Sequence, residues 1–76
     1  MKEIIGEMAG RVWKTLGKKG WVEISKLPQI LKDKGDIVYQ ALGWLTREEK
    51  IIFHKKEGRT YTSLNPEERE IFRRSV

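Results

Sequence analysis

Between Ser25 and Leu64 the local signals follow an order that few folds accept: a capped helix, a glycine turn, a second helix ending in Trp44-Leu45, and then a hairpin. Ser25 has the side chain of a helix N-cap, and Pro28 falls in the first turn, where its missing N–H is tolerated. This helix is expected to run to about Lys32 and to bury Leu27, Ile30 and Leu31. Lys34-Gly35 supplies the turn, and Asp36 is expected to cap a second helix reaching about Glu49. Val38, Ala41, Leu42 and Leu45 share the buried arc of that helix. From Lys50 to Lys55 the pattern changes to alternation, with Ile51 and Phe53 on one face and Ile52 and His54 on the other. Glu57-Gly58 marks a hairpin turn, and Arg59 to Leu64 returns through the β-formers Thr60, Tyr61 and Thr62.

Upstream, Lys2 to Lys18 is an amphipathic helix. At roughly 100° per residue, Ile5, Met8, Ala9, Val12 and Leu16 share one arc, with Ile4 at its edge. Glu3, Glu7, Arg11, Lys14 and Lys18 fall opposite. Gly6, Gly10 and Gly17 line one flank together with Trp13. Each Gly costs a helix about 1 kcal/mol against Ala. Three on one flank therefore suggest that another backbone approaches closely. The approach is either within the chain, for instance by the hairpin, or from a second copy in a homodimer. Gly17-Lys18-Lys19-Gly20 ends the helix, and Trp21 to Ile24 has the composition of a short strand. At the far end, Asn65-Pro66-Glu67-Glu68 has a cap, a proline at the first position and acids in the first turn. Arg73 and Arg74 suit a helix C-terminus, and Ile71 and Phe72 are placed to dock the helix; the alternative is a frayed tail.

The order helix, strand, helix, helix, strand, strand, short helix predicts an α+β class. With 76 residues, one domain over 1–76 is expected, residues 65–76 being its short C-terminal helix. A domain of this size buries only about 60% of its unfolded surface, so each large side chain counts. Sixteen Lys and Arg against eleven Asp and Glu leave a net charge of +5. That excess favours an anionic partner, nucleic acid before acidic lipid, or else serves solubility. The chain has no Cys, which excludes disulfides and thiol chemistry and fits a cytoplasmic protein. No signal peptide is expected, because Glu3, Glu7 and Arg11 interrupt the N-terminal apolar residues, and no membrane association is expected either.

This order, with these residues, resembles the winged helix-turn-helix superfamily, and more closely a family of small prokaryotic winged-helix domains of unknown function. Ile5-Gly6-Glu7-Met8-Ala9-Gly10-Arg11-Val12-Trp13 carries the likeness in the first helix. Val38-Tyr39-Gln40-Ala41-Leu42-Gly43-Trp44-Leu45-Thr46-Arg47-Glu48, with Lys50-Ile51, carries it in the second block. The resemblance implies a three-helix core, a small antiparallel sheet whose hairpin is the wing, and binding to double-stranded DNA.

In the usual docking the second helix of the motif enters the major groove. Its outer face would hold Gln40, Gly43 and Arg47, with Tyr39 on one flank and Ile37 and Trp44 on the other. Gln40 suits adenine, and Arg47 suits guanine or phosphate. Lys34 in the turn, and Lys55, Lys56 and Arg59 around the hairpin, are candidate phosphate contacts. Asp36, Glu48 and Glu49 lie near the same helix and oppose phosphate. The aromatics beside Gly43 equally suit a protein interface, so Gly6, Gly10, Trp13, Gly17, Gly43 and Trp44 are candidate interface residues. The alternative for Trp44 is completion of the core against the first helix.

No catalytic or metal site is expected, and neither a cofactor nor a small-molecule substrate. His54 is the sole His, too few for a metal site without Cys. Ser25, Ser63 and Ser75 lack the context of a nucleophile. Gly6 and Gly10 sit inside a helix with no preceding strand, unlike a phosphate loop. The expected function is DNA binding, with transcription regulation as its expected role; the alternative is a protein-interaction or homodimerisation module with no intrinsic DNA reading.

Overall fold

The computed structural model describes residues 2–75, so the first and last positions of the expected 1–76 unit lie outside the described residues. Helix α1 (Lys2–Lys19) is followed by β1 (Val22–Glu23), a single 3-10 turn (Ile24–Lys26), α2 (Leu27–Leu31) and α3 (Gly35–Arg47). Then come β2 (Ile51–Lys56), β3 (Arg59–Leu64) and α4 (Pro66–Ser75). The three strands form one antiparallel sheet in the order β1-β3-β2. Val22 pairs with Thr62, and β2 pairs with β3 from Ile51↔Leu64 to Lys56↔Arg59. The two-residue turn has φ 53° at Glu57 and φ 76° at Gly58. Two positive φ values twist a hairpin in the hand its strands prefer, and Gly58 adopts one of them without strain.

Core positions follow the predicted periods, except that Ile5 is only half-buried and Phe53, on the face of Ile51, is 44% exposed. Met8, Ala9, Val12 and Leu16 of α1 pack with Val38, Ala41, Leu42 and Leu45 of α3 in one buried cluster. Leu27, Leu31, Val22, Ile51 and Leu64 complete it. The buried Thr62 hydroxyl donates to the Ile52 carbonyl at 2.9 Å, so this polar group within the sheet is satisfied.

Several local expectations are corrected. Ser25 does not cap α2: its hydroxyl donates to the Glu23 carboxylate, and Lys26 occupies the cap position without a side-chain bond. The strand expected over Trp21 to Ile24 shortens to two residues because the chain turns into the 3-10 segment. Ile30 is 37% exposed, since the five-residue α2 buries only Leu27 and Leu31. Lys34, not Asp36, is the N-cap of α3, and α3 ends at Arg47 rather than Glu49. Glu49 has left-handed φ, and Lys50 N–H reaches back to the Leu45 carbonyl at 3.0 Å, which turns the chain into β2.

α4 forms as predicted and is docked. The Asn65 side-chain oxygen accepts the Glu68 N–H at 2.8 Å, capping the helix. Phe72 packs against the core and meets Trp13 edge-on, with centroids 5.4 Å apart and planes at 62°. Trp13 Nε1–H donates to Glu68 Oε1 at 2.8 Å. Ile71, expected to dock beside Phe72, is instead 47% exposed.

The glycine flank of α1 resolves into two environments. A Cβ on Gly17 would lie 2.3–2.5 Å from ring atoms of Phe72, so this glycine is a notch for α4 and not for the hairpin. Gly6 and Gly10 have nothing within 4 Å of such an atom. Gly17→Ala is therefore expected to destabilise the fold by about 1–3 kcal/mol, because the whole ring must move. Gly10→Ala should stabilise it by up to about 1 kcal/mol. Urea denaturation midpoints of the two variants check this; equal shifts would show that Phe72 does not need the notch.

Candidate nucleic-acid interface

Burial of Val38, Ala41, Leu42 and Leu45 turns the other side of α3 outward. Gln40, Gly43 and Arg47 are exposed there, flanked by Tyr39 and Trp44. Tyr39 is 47% and Trp44 43% exposed, so Trp44 does not complete the core. Ile37 departs from its expected flank and packs partly against the core. The exposed face presents one guanidinium, one amide and two aromatic rings around a glycine.

The start of α3 is held by short polar contacts. Lys34 N–H donates to Asp33 Oδ1 at 2.7 Å, and Ile37 N–H donates to Asp36 Oδ1 at 2.8 Å. Asp36 thus places negative charge at the positive end of the helix dipole, a stabilising position that also opposes a phosphate. Arg11 of α1 ties down the preceding turn. Its guanidinium lies 3.2 Å from Asp33 Oδ2 and also donates to the Leu31 carbonyl at the end of α2. The exposed Lys34 side chain stands beside this clamp.

The strand register distributes the wing cations. Lys56 pairs with Arg59 and Lys55 with Thr60, so Lys56 and Arg59 share the outer face of the sheet while Lys55 lies on the helix side. Arg59 is also ion-paired, its guanidinium 3.4 Å from Glu23 Oε1 on β1. The Ser25 hydroxyl lowers the Glu23 pKa below its ordinary 4.5; burial opposes this, while the charges of Arg59 and Lys26 add to it.

Among the candidate interface residues, Gly6, Gly10, Trp13 and Trp44 line one groove of about 450 Å³ between α1, the end of α3 and α4, together with Ile71. Gly43 lies away from this groove on the outer face of α3, and Gly17 is filled by Phe72. One further constellation went unnoticed in the sequence. Trp21 stacks on His54 with centroids 3.7 Å apart and planes at 11°. The only sequence signal was the alternation of β2, which sets His54 opposite the core face. Among the described residues, no group of three or more His, Cys, Asp or Glu is placed to hold a metal, and no helix is long and apolar enough to cross a membrane.

Two helices joined by a tight turn, packed under a third and followed by a two-stranded wing, define the winged helix-turn-helix class. Residues 1–64 match the winged helix-turn-helix domain family DUF2582, and the chain belongs to that family. An uncharacterised protein of Methanocaldococcus jannaschii is 39% identical over 56 residues, which cover 70% of this chain and 79% of that protein. In three dimensions the chain is similar to a mutant of Lactococcus lactis ZitR in apo form, with a TM-score of 0.81 and 17% identity over 97% of the chain. The chain spans 58% of that protein's length, and at this identity the likeness concerns the fold.

Glu23 carries a pH prediction. A carboxyl with a depressed folded-state pKa contributes stability that is fully present above its unfolded value and is lost as pH falls through the folded value. The contribution of Glu23 is thus lost only below pH 4.5. Ser25→Ala removes the largest cause of the depression, so the Glu23 carboxyl should titrate at higher pH, as NMR can follow directly. An unchanged titration would mean that the hydroxyl is not what holds it.

Proposed function

We propose that this protein binds double-stranded DNA through the outer face of α3 and the wing. The observation that carries the reading is the solvent-exposed Tyr39–Gln40–Gly43–Arg47 surface on the second helix of the motif, with Lys55 and Lys56 on the adjoining hairpin. Gln40 offers a bidentate partner to adenine, and Arg47 one to guanine or phosphate. Gly43 lets the groove approach the helix closely. Lys34, Lys55, Lys56 and, on exchanging its 3.4 Å contact with Glu23, the exposed Arg59 supply the phosphate contacts. With so few base-reading groups and Asp36 nearby, sequence specificity is low and affinity is mainly electrostatic. A role in transcription regulation follows from such binding.

Titration of random duplex DNA at low salt tests this. Contact by about 4–6 cations gives a log–log salt slope of roughly −4 to −5. Lys55→Glu combined with Lys56→Glu should weaken binding by about tenfold or more. An absence of binding at micromolar protein, or indifference to the double reversal, overturns the reading.

The α1–α4 groove favours a second role. Gly6 and Gly10 leave its floor open while Trp44 and Ile71 stand half exposed at its sides, an arrangement suited to a second copy of the chain. Such a homodimer would double the DNA contacts rather than replace them. Sedimentation at high concentration should show a dimer that Trp44→Glu dissociates; a strict monomer in the unaltered protein rules the homodimer out.

A further inference from the structure

Beyond Lys56 and Arg59, which the duplex reading also uses, the outer face of the sheet carries chemistry that duplex binding by α3 leaves idle. The pairings of Tyr61 with both Glu23 and His54, and of Ile52 with Ser63, place these side chains opposite the helical core. Trp21, just before β1, lies over this face and stacks on His54 of β2. These edge strands stand roughly 10 Å apart across β3. The two rings meet because the residue between them, Ser63, is small. Its hydroxyl is 2.8 Å from His54 Nε2, which fixes the imidazole under the indole. Tyr61 stands 6.0 Å from Trp21, tilted by 40°. Trp21 nevertheless remains 49% exposed: His54 backs one face of its ring and the other is open.

Cations flank this stack on both sides. Arg69, Glu70 and Arg73 of α4 share a cleft of about 290 Å³ with Trp21 and His54. Among the described residues, Arg69 has no ion-pair partner. Arg73 is 3.8 Å from Glu70, an exposed pair that exchanges readily. Toward the hairpin, Lys56 and Arg59 lie on the same face. Ser63 and Arg59 are about 13 Å apart along β3 at roughly 3.3 Å per residue. Glu70 and Glu23 lie on this face as partners of Arg73 and Arg59, so it runs from a net-positive α4 cleft, through a backed aromatic ring, to Lys56, unpaired among the described residues.

We propose that this outer face binds single-stranded nucleic acid. An unpaired base stacks on the open side of Trp21, with flanking phosphates on Arg69 and Arg73 at one end and Lys56 at the other. The interleaving of an exposed ring with cations on either side matches the alternation of bases and phosphates along a single strand. A duplex is a poor fit, since its base faces are already stacked. The pre-formed His54–Trp21 stack spares the ordering of a mobile indole when the base arrives.

Fluorescence anisotropy of a labelled twelve-residue oligothymidylate at low salt tests the proposal, with a duplex of the same length measured in parallel. The protein should bind the single strand with a log–log salt slope of about −2, for three phosphate contacts. Trp21→Leu should weaken that binding about tenfold. Trp21→Phe should restore part of it, and Arg69→Glu with Arg73→Glu, on an exposed helix face, should weaken it without disturbing the core. Gln40→Ala with Arg47→Ala should lower duplex affinity and leave the oligothymidylate unaffected, so failure of the α3 reading is distinguishable from failure of this one. No oligothymidylate binding at tens of micromolar protein overturns the proposal. So does unchanged affinity in both Trp21→Leu and the arginine double variant. A Trp21→Leu effect confined to self-association also overturns it, in favour of a contact between copies.

Discussion

The packing of the Met8–Leu16 stripe of α1 against the Val38–Leu45 stripe of α3 is the contact on which the other surfaces depend. A chain this short builds one core, and these two helices supply most of its side chains. Once the inner face of α3 is committed, Tyr39, Gln40, Gly43 and Arg47 must face solvent. α1 serves the rest of the molecule through its other sides. Arg11 clamps the turn between α2 and α3, and the Gly17 notch seats Phe72 of α4. The motif helices are thus oriented by a helix outside the motif.

Elements with an unambiguous apolar period were legible in the sequence. The α1 and α3 stripes, the β2 alternation and the Glu57-Gly58 turn together specified the three-helix core and the wing. Local polar choices were less legible, because a side chain has several partners of similar worth. Ser25 takes the Glu23 carboxylate rather than a helix amide, and Asp36 bonds within the first turn of α3 instead of capping it. The glycines of α1 were opaque for a different reason. A helical wheel places Gly6, Gly10 and Gly17 on one flank, but only the position of α4 decides that one is filled and two are open.

The functional surface shows the same division. The outer residues of α3 could be listed from the wheel, whereas the distribution of cations could not. It depends on sheet register, which sends Lys55 to one side and Lys56 with Arg59 to the other. The Trp21–His54 stack was hidden further, since it joins the residue before β1 to β2, and β1 and β2 are not neighbours in the sheet. It requires the β1-β3-β2 order, a short β1 and a small residue at Ser63, three conditions that no single segment announces. A basic protein of this kind is therefore better described by where its charges are sorted than by their sum.

The Gly17 notch has a consequence for how this chain relates to its family. The family match ends at residue 64, and α4 begins at Pro66. The socket lies inside the shared part, while the ring that fills it lies beyond. The surface is accordingly of two kinds. The outer face of α3 and the wing lie wholly within the matched residues. The Arg69–Arg73 cleft and the wall of the α1 groove formed by Ile71 belong to the tail. A relative ending at its hairpin would keep the first kind, lose the second, and leave the Trp13 side of α1 bare.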